Sequence, residues 1–477
     1  MGHEMVEAKK LKTCQISACQ LNFKSMKAQM GQPILNNTSP RNRKALFRKE
    51  VLYLKKQSYL EPLWTKNFIL LLVAAVFMYI ATFMFTPTLP LFARSIGVID
   101  PSVGGIIILV YTIGSLVPRV IWGNLADSWE RKAVYLIGVI IMAAAAPFFG
   151  LFVSLPGIFI IRLIQGVGFS ASSTAGSTMA ADLVPASRRA EGIGFYTLAN
   201  TIGMALGPEL GLHMLQQHGA WWLFGAGALA GIISLGVCML LNYERKRSSV
   251  QSGFISTHEA IHDITATPAK SLSSKCSILF EKSVLTTCLV VLFTIMPYGA
   301  IMAYIASYGI DRGISNIGLY FSVFALALFV VRLMVGRLSD SHGVTAVMIP
   351  GIVLMFSGLV VLNWAESFAI FMVSAVLFGF GFGVAFPLLQ TTAYMLCPEN
   401  RRGIASATLF STADLAYGFG AVVLGVGIKY LGYETAFAGL TIFVVIALIS
   451  YVIFLYPRLK SYYNKETGVG TKKCCKN

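Results

Sequence analysis

Three ionisable residues interrupt long apolar runs: Asp414 in "FSTADLAYGFG", Arg162 in "RLIQGVGFS" and Glu209 in "GMALGPELG". A charge in hydrocarbon costs on the order of 3 kcal/mol or more, so each needs an interior position and a partner. Groups placed this way serve ion pathways and proton relays. Asp414 falls eleven residues past Gly403, about 17 Å along a helix and near mid-membrane. Low-dielectric surroundings disfavour a carboxylate. Asp414 is therefore the first choice for a group that takes up and releases a proton, and a hydrogen bond to a neighbouring helix is the alternative. Arg162 lies roughly 9 Å inward from Pro156, and Glu209 about 30 Å from Arg189. Both enter from one side, which predicts an Arg162–Glu209 pair across neighbouring helices, either proton-labile or structural.

The elements that hold these groups are written in the composition. Hydrophobic residues make up 56% of the 477, and charged residues only 12%, about half the share usual in soluble domains. Lipid is the solvent such a chain requires. About 20 apolar residues cross a bilayer core of roughly 30 Å. Spans are expected at 68–92, 103–122, 133–153, 156–180, 190–214 and 220–241, then at 284–308, 315–335, 344–364, 367–394, 403–428 and 434–456. They divide the chain into a basic tail (1–66), a six-helix bundle (67–241), a polar linker (242–282), a second six-helix bundle (283–456) and a tail (457–477). The net charge of +17 is concentrated in the first 66 residues, with thirteen Lys and Arg against four Asp and Glu. Arg and Lys in the remaining short loops gather on one side, which places both termini in the cytoplasm. No nucleic-acid motif accompanies the charge. No metal-ligand spacing, Walker loop or nucleophile elbow occurs.

The two bundles are copies. An offset of 213 carries Arg119 to Arg332, Gly123 to Gly336, Asp127 to Asp340, Pro185 to Pro398, Gly166 to Gly379 and Gly207 to Gly420. Six spans separate each pair, an even number, so both copies face the same way. Arg162 maps onto Ala375, and its charge belongs to one half only. On the tenth span, Phe378, Phe382 and Phe386 form a stripe at i, i+4, i+8.

"GNLADSWERK" (123–132), with its partial copy "GRLSD" (336–340), resembles the loop 2–3 signature of the major facilitator superfamily. "RLIQGVGFS" resembles the fourth-helix motif of that superfamily's twelve-helix drug:proton antiporters, and "GMALGPELG" their fifth-helix motif. The sequence departs at Ser128-Trp129-Glu130, where the family has Arg, a variable residue and Gly. The resemblance implies an all-α membrane protein of twelve transmembrane helices in two pseudo-symmetric halves around a midplane site. It implies gating by Arg119, Gly123, Asp127, Arg131 and Lys132, with Arg332, Gly336 and Asp340 in the second copy. Gly123 is expected to allow close helix approach, as are Gly203, Gly207 and Gly211 beside Pro208. The cavity is expected to be lined by Tyr79, Phe83, Gln165, Tyr298, Tyr304 and the Phe378–Phe382–Phe386 stripe, which serves either cargo or packing.

The expectation is a multi-pass cell-membrane protein, not an enzyme, needing no cofactor or metal. It would exchange protons for small amphipathic organic compounds by alternating access and act as a monomer without nucleic acid. Import or uniport in the same fold, and a non-transporting receptor or scaffold, are the alternatives.

Overall fold

The computed structural model describes residues 63–185, 188–242, 282–314, 316–398 and 402–466. Most of the expected basic tail and central linker lies outside them. In hydrocarbon a helix can satisfy its own backbone hydrogen bonds, and the described residues are almost entirely helical. The first half holds α1 (Lys66–Phe83), α2 (Phe85–Ser95), α3 (Ser102–Leu116), α4 (Arg119–Ser128), α5 (Arg131–Leu151), α6 (Leu155–Leu183), α7 (Arg189–Gln217) and α8 (Ala220–Met239). The second holds α9 (Leu285–Asp311), α10 (Gly318–His342), α11 (Val344–Asn363), α12 (Phe368–Leu396), α13 (Arg402–Ser450) and α14 (Tyr456–Glu466). A π-helical turn, Tyr451–Leu455, joins α13 to α14, so the tail expected from 457 begins as helix.

Nine spans among the described residues are long and apolar enough to cross a bilayer. The α1–α2 pair counts as one span and the stretch from Thr408 to Tyr462 as another. The other three expected passes are also helical. The α3–α4 pair is broken at Pro118, α7 carries Pro208 inside it, and α13 is two arms meeting at Gly432 (φ 79°). The sequence repeat extends to the backbone here. Gly219, at the same turn of the first half, has φ 92° and stands 213 residues before Gly432. Only glycine adopts such a φ without strain. Two helix caps repeat likewise: the hydroxyl of Ser154 accepts from Gly157 N, and that of Ser367 from Ile370 N.

Leu326, Ile160, Leu333 and Ile442 lie on the outside, more than half exposed, as lipid-facing side chains should be. Inside each half, α5 packs on α6 and α8, and α9 on α13. Between halves, α3 packs on α13 and α7 on α10, the same crossing made twice. Seen from the α4–α5 hairpin, the far face is bolted shut. Lys429 Nζ donates to Asp100 Oδ2 at 2.6 Å, Arg94 to Tyr433 Oη at 3.4 Å, and Tyr304 Oη to Pro101 O at 2.6 Å. A Cβ on Gly105 would lie 2.5 Å from Ala421 O, so glycine is required there. The Lys429 ammonium, with Ser102, holds the Asp100 carboxyl at about 2. A depressed carboxylate pKa contributes above the ordinary value near 4 and is lost only as pH falls through about 2. Asp100 should therefore be ionised throughout mild acid. A zero-length carbodiimide at pH 5 to 6 should join Asp100 to Lys429, giving a cross-linked peptide by mass spectrometry that Lys429→Arg abolishes. Its absence in membrane-embedded protein would mean that this face is open there.

Candidate functional site

The two repeated arginines cross between the halves. Arg119, at the start of α4, brings Nη1 to 2.7 Å from Asp414 Oδ2 on α13. The approach lies off the hydrogen-bond axis, so charge rather than alignment holds the pair. Both side chains are about a quarter exposed, in a region where the outer surfaces are apolar. Arg332, the copy of Arg119 on α10, donates from Nη1 to Thr201 Oγ1 on α7 at 2.9 Å. Thr201 plus 213 is 414. The two ties are one contact made twice by the pseudo-twofold, with a carboxylate at the far end of one and a hydroxyl at the far end of the other. Asp414 was legible in the sequence. Thr201 was not, although applying the offset to Asp414 finds it directly.

The Arg162–Glu209 pair expected from depth is not formed. Arg162 donates to Phe85 O at 2.8 Å and to Gln165 Oε1 at 3.3 Å, and its guanidinium stands 5.0 Å from the Tyr111 ring centroid. Glu209 instead accepts from Ser322 Oγ at 2.5 Å, across the interface on α10. Helical rise fixes depth but not azimuth, and the two residues point to different neighbours.

The expected gating residues divide. Arg131 pairs with Asp182 at the end of α6, and Lys132 Nζ donates to Met239 O and Leu241 O at the end of α8. A cation at a helix carboxyl end offsets the dipole. Both therefore anchor the hairpin within its own half. Among the described residues, a Cβ on Gly123 or Gly336 would meet nothing within 4 Å, so the close approach expected at Gly123 is not made in this conformation. The side chains of Asp127 and Asp340 lie outside the described set. The α7 glycines do lie tight against α1 and α2. A Cβ on Gly203 would strike Tyr79, one on Gly207 would come within 3.0 Å of Met84 N, and one on Gly211 within 2.6 Å of Met84 O.

The aromatic residues form a ladder. Phe378, Phe382 and Phe386 stack at centroid spacings of 6.4 and 6.1 Å, and Tyr298 lies 4.3 Å from Phe382. Tyr417, on α13 three residues past Asp414, continues the ladder 5.5 Å from Tyr298. Tyr79 sits 6.3 Å from Phe83 and 6.2 Å from Tyr196. Tyr304 does not join, because its hydroxyl is engaged at the bolted face. A separate apolar cleft of about 430 Å³, lined by Phe148, Phe152, Ile160 and Ile164, opens toward lipid and offers no reactive group.

Comparison with known proteins fits this arrangement. The sequence matches the family model described as Major Facilitator Superfamily over residues 71–320 and again over 287–473. The chain belongs to the major facilitator superfamily. It is 22% identical to the staphylopine export protein of Staphylococcus aureus over 74% of this chain and 90% of that one. It is 23% identical to a multi-drug resistance efflux pump PmrA homolog of Lactococcus lactis, covering 85% and 97%. Among solved structures, the nucleoside transporter NupG matches with TM-score 0.64 at 13% identity, over 82% of this chain and all of that one. That likeness concerns the fold alone. This major facilitator protein is a multi-pass membrane transporter, not an enzyme.

The paired ties can be tested by exchange. Asp414→Thr should lower thermal stability of the purified protein, on the order of 2 kcal/mol, because Arg119 loses its carboxylate. Adding Thr201→Asp should restore part of it, since Arg332 then gains one. A double variant no more stable than Asp414→Thr would contradict the equivalence of the two ties.

Proposed function

We propose that this transporter exports small amphipathic organic compounds in exchange for protons by alternating access, and that Asp414 is the coupling carboxylate. It acts as a monomer in the cell membrane, with both termini and the α4–α5 hairpin on the cytoplasmic side. The observation carrying this reading is the Arg119–Asp414 pair: a carboxylate within the bundle, bonded by charge across the seam that must open and close. With Asp414 ionised, the pair ties α3–α4 to α13. A proton arriving at Asp414 removes the charge, Arg119 loses its counterion, and the halves are freed to separate at the hairpin face. Loss of the proton re-forms the tie. Several relatives are named as exporters or efflux pumps, which favours the outward direction over import or uniport.

Everted vesicles holding the protein should use an imposed pH gradient to accumulate a cargo found in a panel of amphipathic compounds, and adding cargo should dissipate the gradient. Asp414→Asn should slow gradient-driven movement at least tenfold while equilibrative exchange persists. Unchanged gradient-driven transport by Asp414→Asn would refute the assignment.

A further inference from the structure

We infer that the seam between the halves holds an anion subsite, built by Arg162, Tyr111 and Tyr417, that takes the carboxylate of an aryl-carboxylate cargo. This deepens the transport reading above and rests on it for calling the ligand cargo. Arg162 is 2% exposed, and a guanidinium that deep requires compensation. Among the described residues its contacts are a carbonyl, an amide oxygen and the Tyr111 ring, none of them a carboxylate. Asp414 is engaged by Arg119. Arg162 is a cation short of an anion.

The surroundings are also unsatisfied. Arg162 Nε and Tyr111 Oη are shut off from solvent and make no hydrogen bond, and buried donors without acceptors are costly; Tyr417 Oη, equally shut off, has the Thr86 hydroxyl beside it as a weak partner. The Tyr111 ring stands 5.0 Å from the guanidinium, and Tyr417 lies on the helix that packs against α3 from the other half. They come from opposite sides of the seam, Tyr111 on α3 and Tyr417 on α13. A carboxylate placed among them would accept from all three donors, and guanidinium geometry suits such an acceptor.

The repeat explains why the rest of the cargo should be aromatic. An offset of 213 carries Tyr111 to Phe324, Arg162 to Ala375, Tyr417 back to Met204 and Phe85 to Tyr298. The image of the polar cluster is thus an apolar one, and it too is assembled. Tyr298 lies 5.9 Å from Phe324 and donates its hydroxyl to Met204 Sδ at 2.9 Å. One half of the duplicated site offers donors and the other offers ring faces, joined where Tyr417 meets Tyr298. A ring on the ladder and a carboxylate at Arg162 would be served at once.

The test is binding to the full-length protein in detergent, by calorimetry, with 1-naphthoate and its neutral isostere 1-naphthamide. Binding requires neither a direction of transport nor proton movement, so its outcome is separate from that of the vesicle experiment. Naphthoate should bind at least tenfold tighter than naphthamide. Arg162→Gln should erase the preference. The Tyr111→Phe/Tyr417→Phe variant, which keeps both rings and the fold, should weaken naphthoate about tenfold and leave naphthamide unchanged. Equal binding of the two probes, or full naphthoate affinity in the double Phe variant, would overturn the proposal.

Discussion

A charged residue in an apolar bundle must be compensated by a counter-charge or by hydrogen-bond partners, and this constraint governs the seam. Arg119 and Asp414 belong to different halves, so neither half alone can satisfy both. The cost of leaving either one unpaired, about 2 kcal/mol for a pair that is largely buried, makes the relative position of the halves depend on the charge of one carboxyl group. At the pseudo-symmetric position the equivalent arginine donates to a threonine. A hydroxyl accepts a hydrogen bond but carries no charge for a proton to neutralise, so one seam contact is sensitive to protons and its twin is not. Duplication supplied the scaffold, and one side-chain difference supplied the asymmetry.

The remaining contacts fall into place around that seam. Glycines at Gly105, Gly203 and Gly211 let backbones approach within about a side chain's width, the economy expected where lipid gives no hydrophobic drive between helices. Arg131 and Lys132 tie the start of α5 to the ends of α6 and α8 within one half. The exposed bolt at Asp100 and Lys429 is screened by solvent and weak by nature, as suits a contact that must be undone.

The spans and the repeat were legible because hydrophobic length and a constant offset survive without knowledge of packing. Asp414 was legible because a carboxylate in an apolar run has few innocent explanations. Partners were not. Depth along a helix placed Arg162 and Glu209 on one side, yet their azimuths send one toward Tyr111 and Phe85 and the other to Ser322. Tyr111 and Tyr417 were hidden for another reason: tyrosines are common in such helices, and only their buried hydroxyls beside the seam distinguish these two. Gly123 misled because a glycine in a motif need not touch anything in the conformation observed.

The central claim is that the charge on Asp414 sets the separation of the halves at the hairpin face. Spin labels on Gly123→Cys and Gly336→Cys, where side chains find open space, would measure that separation by double electron–electron resonance in nanodiscs. Asp414→Asn should lengthen the label distance at neutral pH and remove its response to acid, whereas the wild-type chain should lengthen only as pH falls. Identical distance distributions for the two proteins across that range would contradict the account.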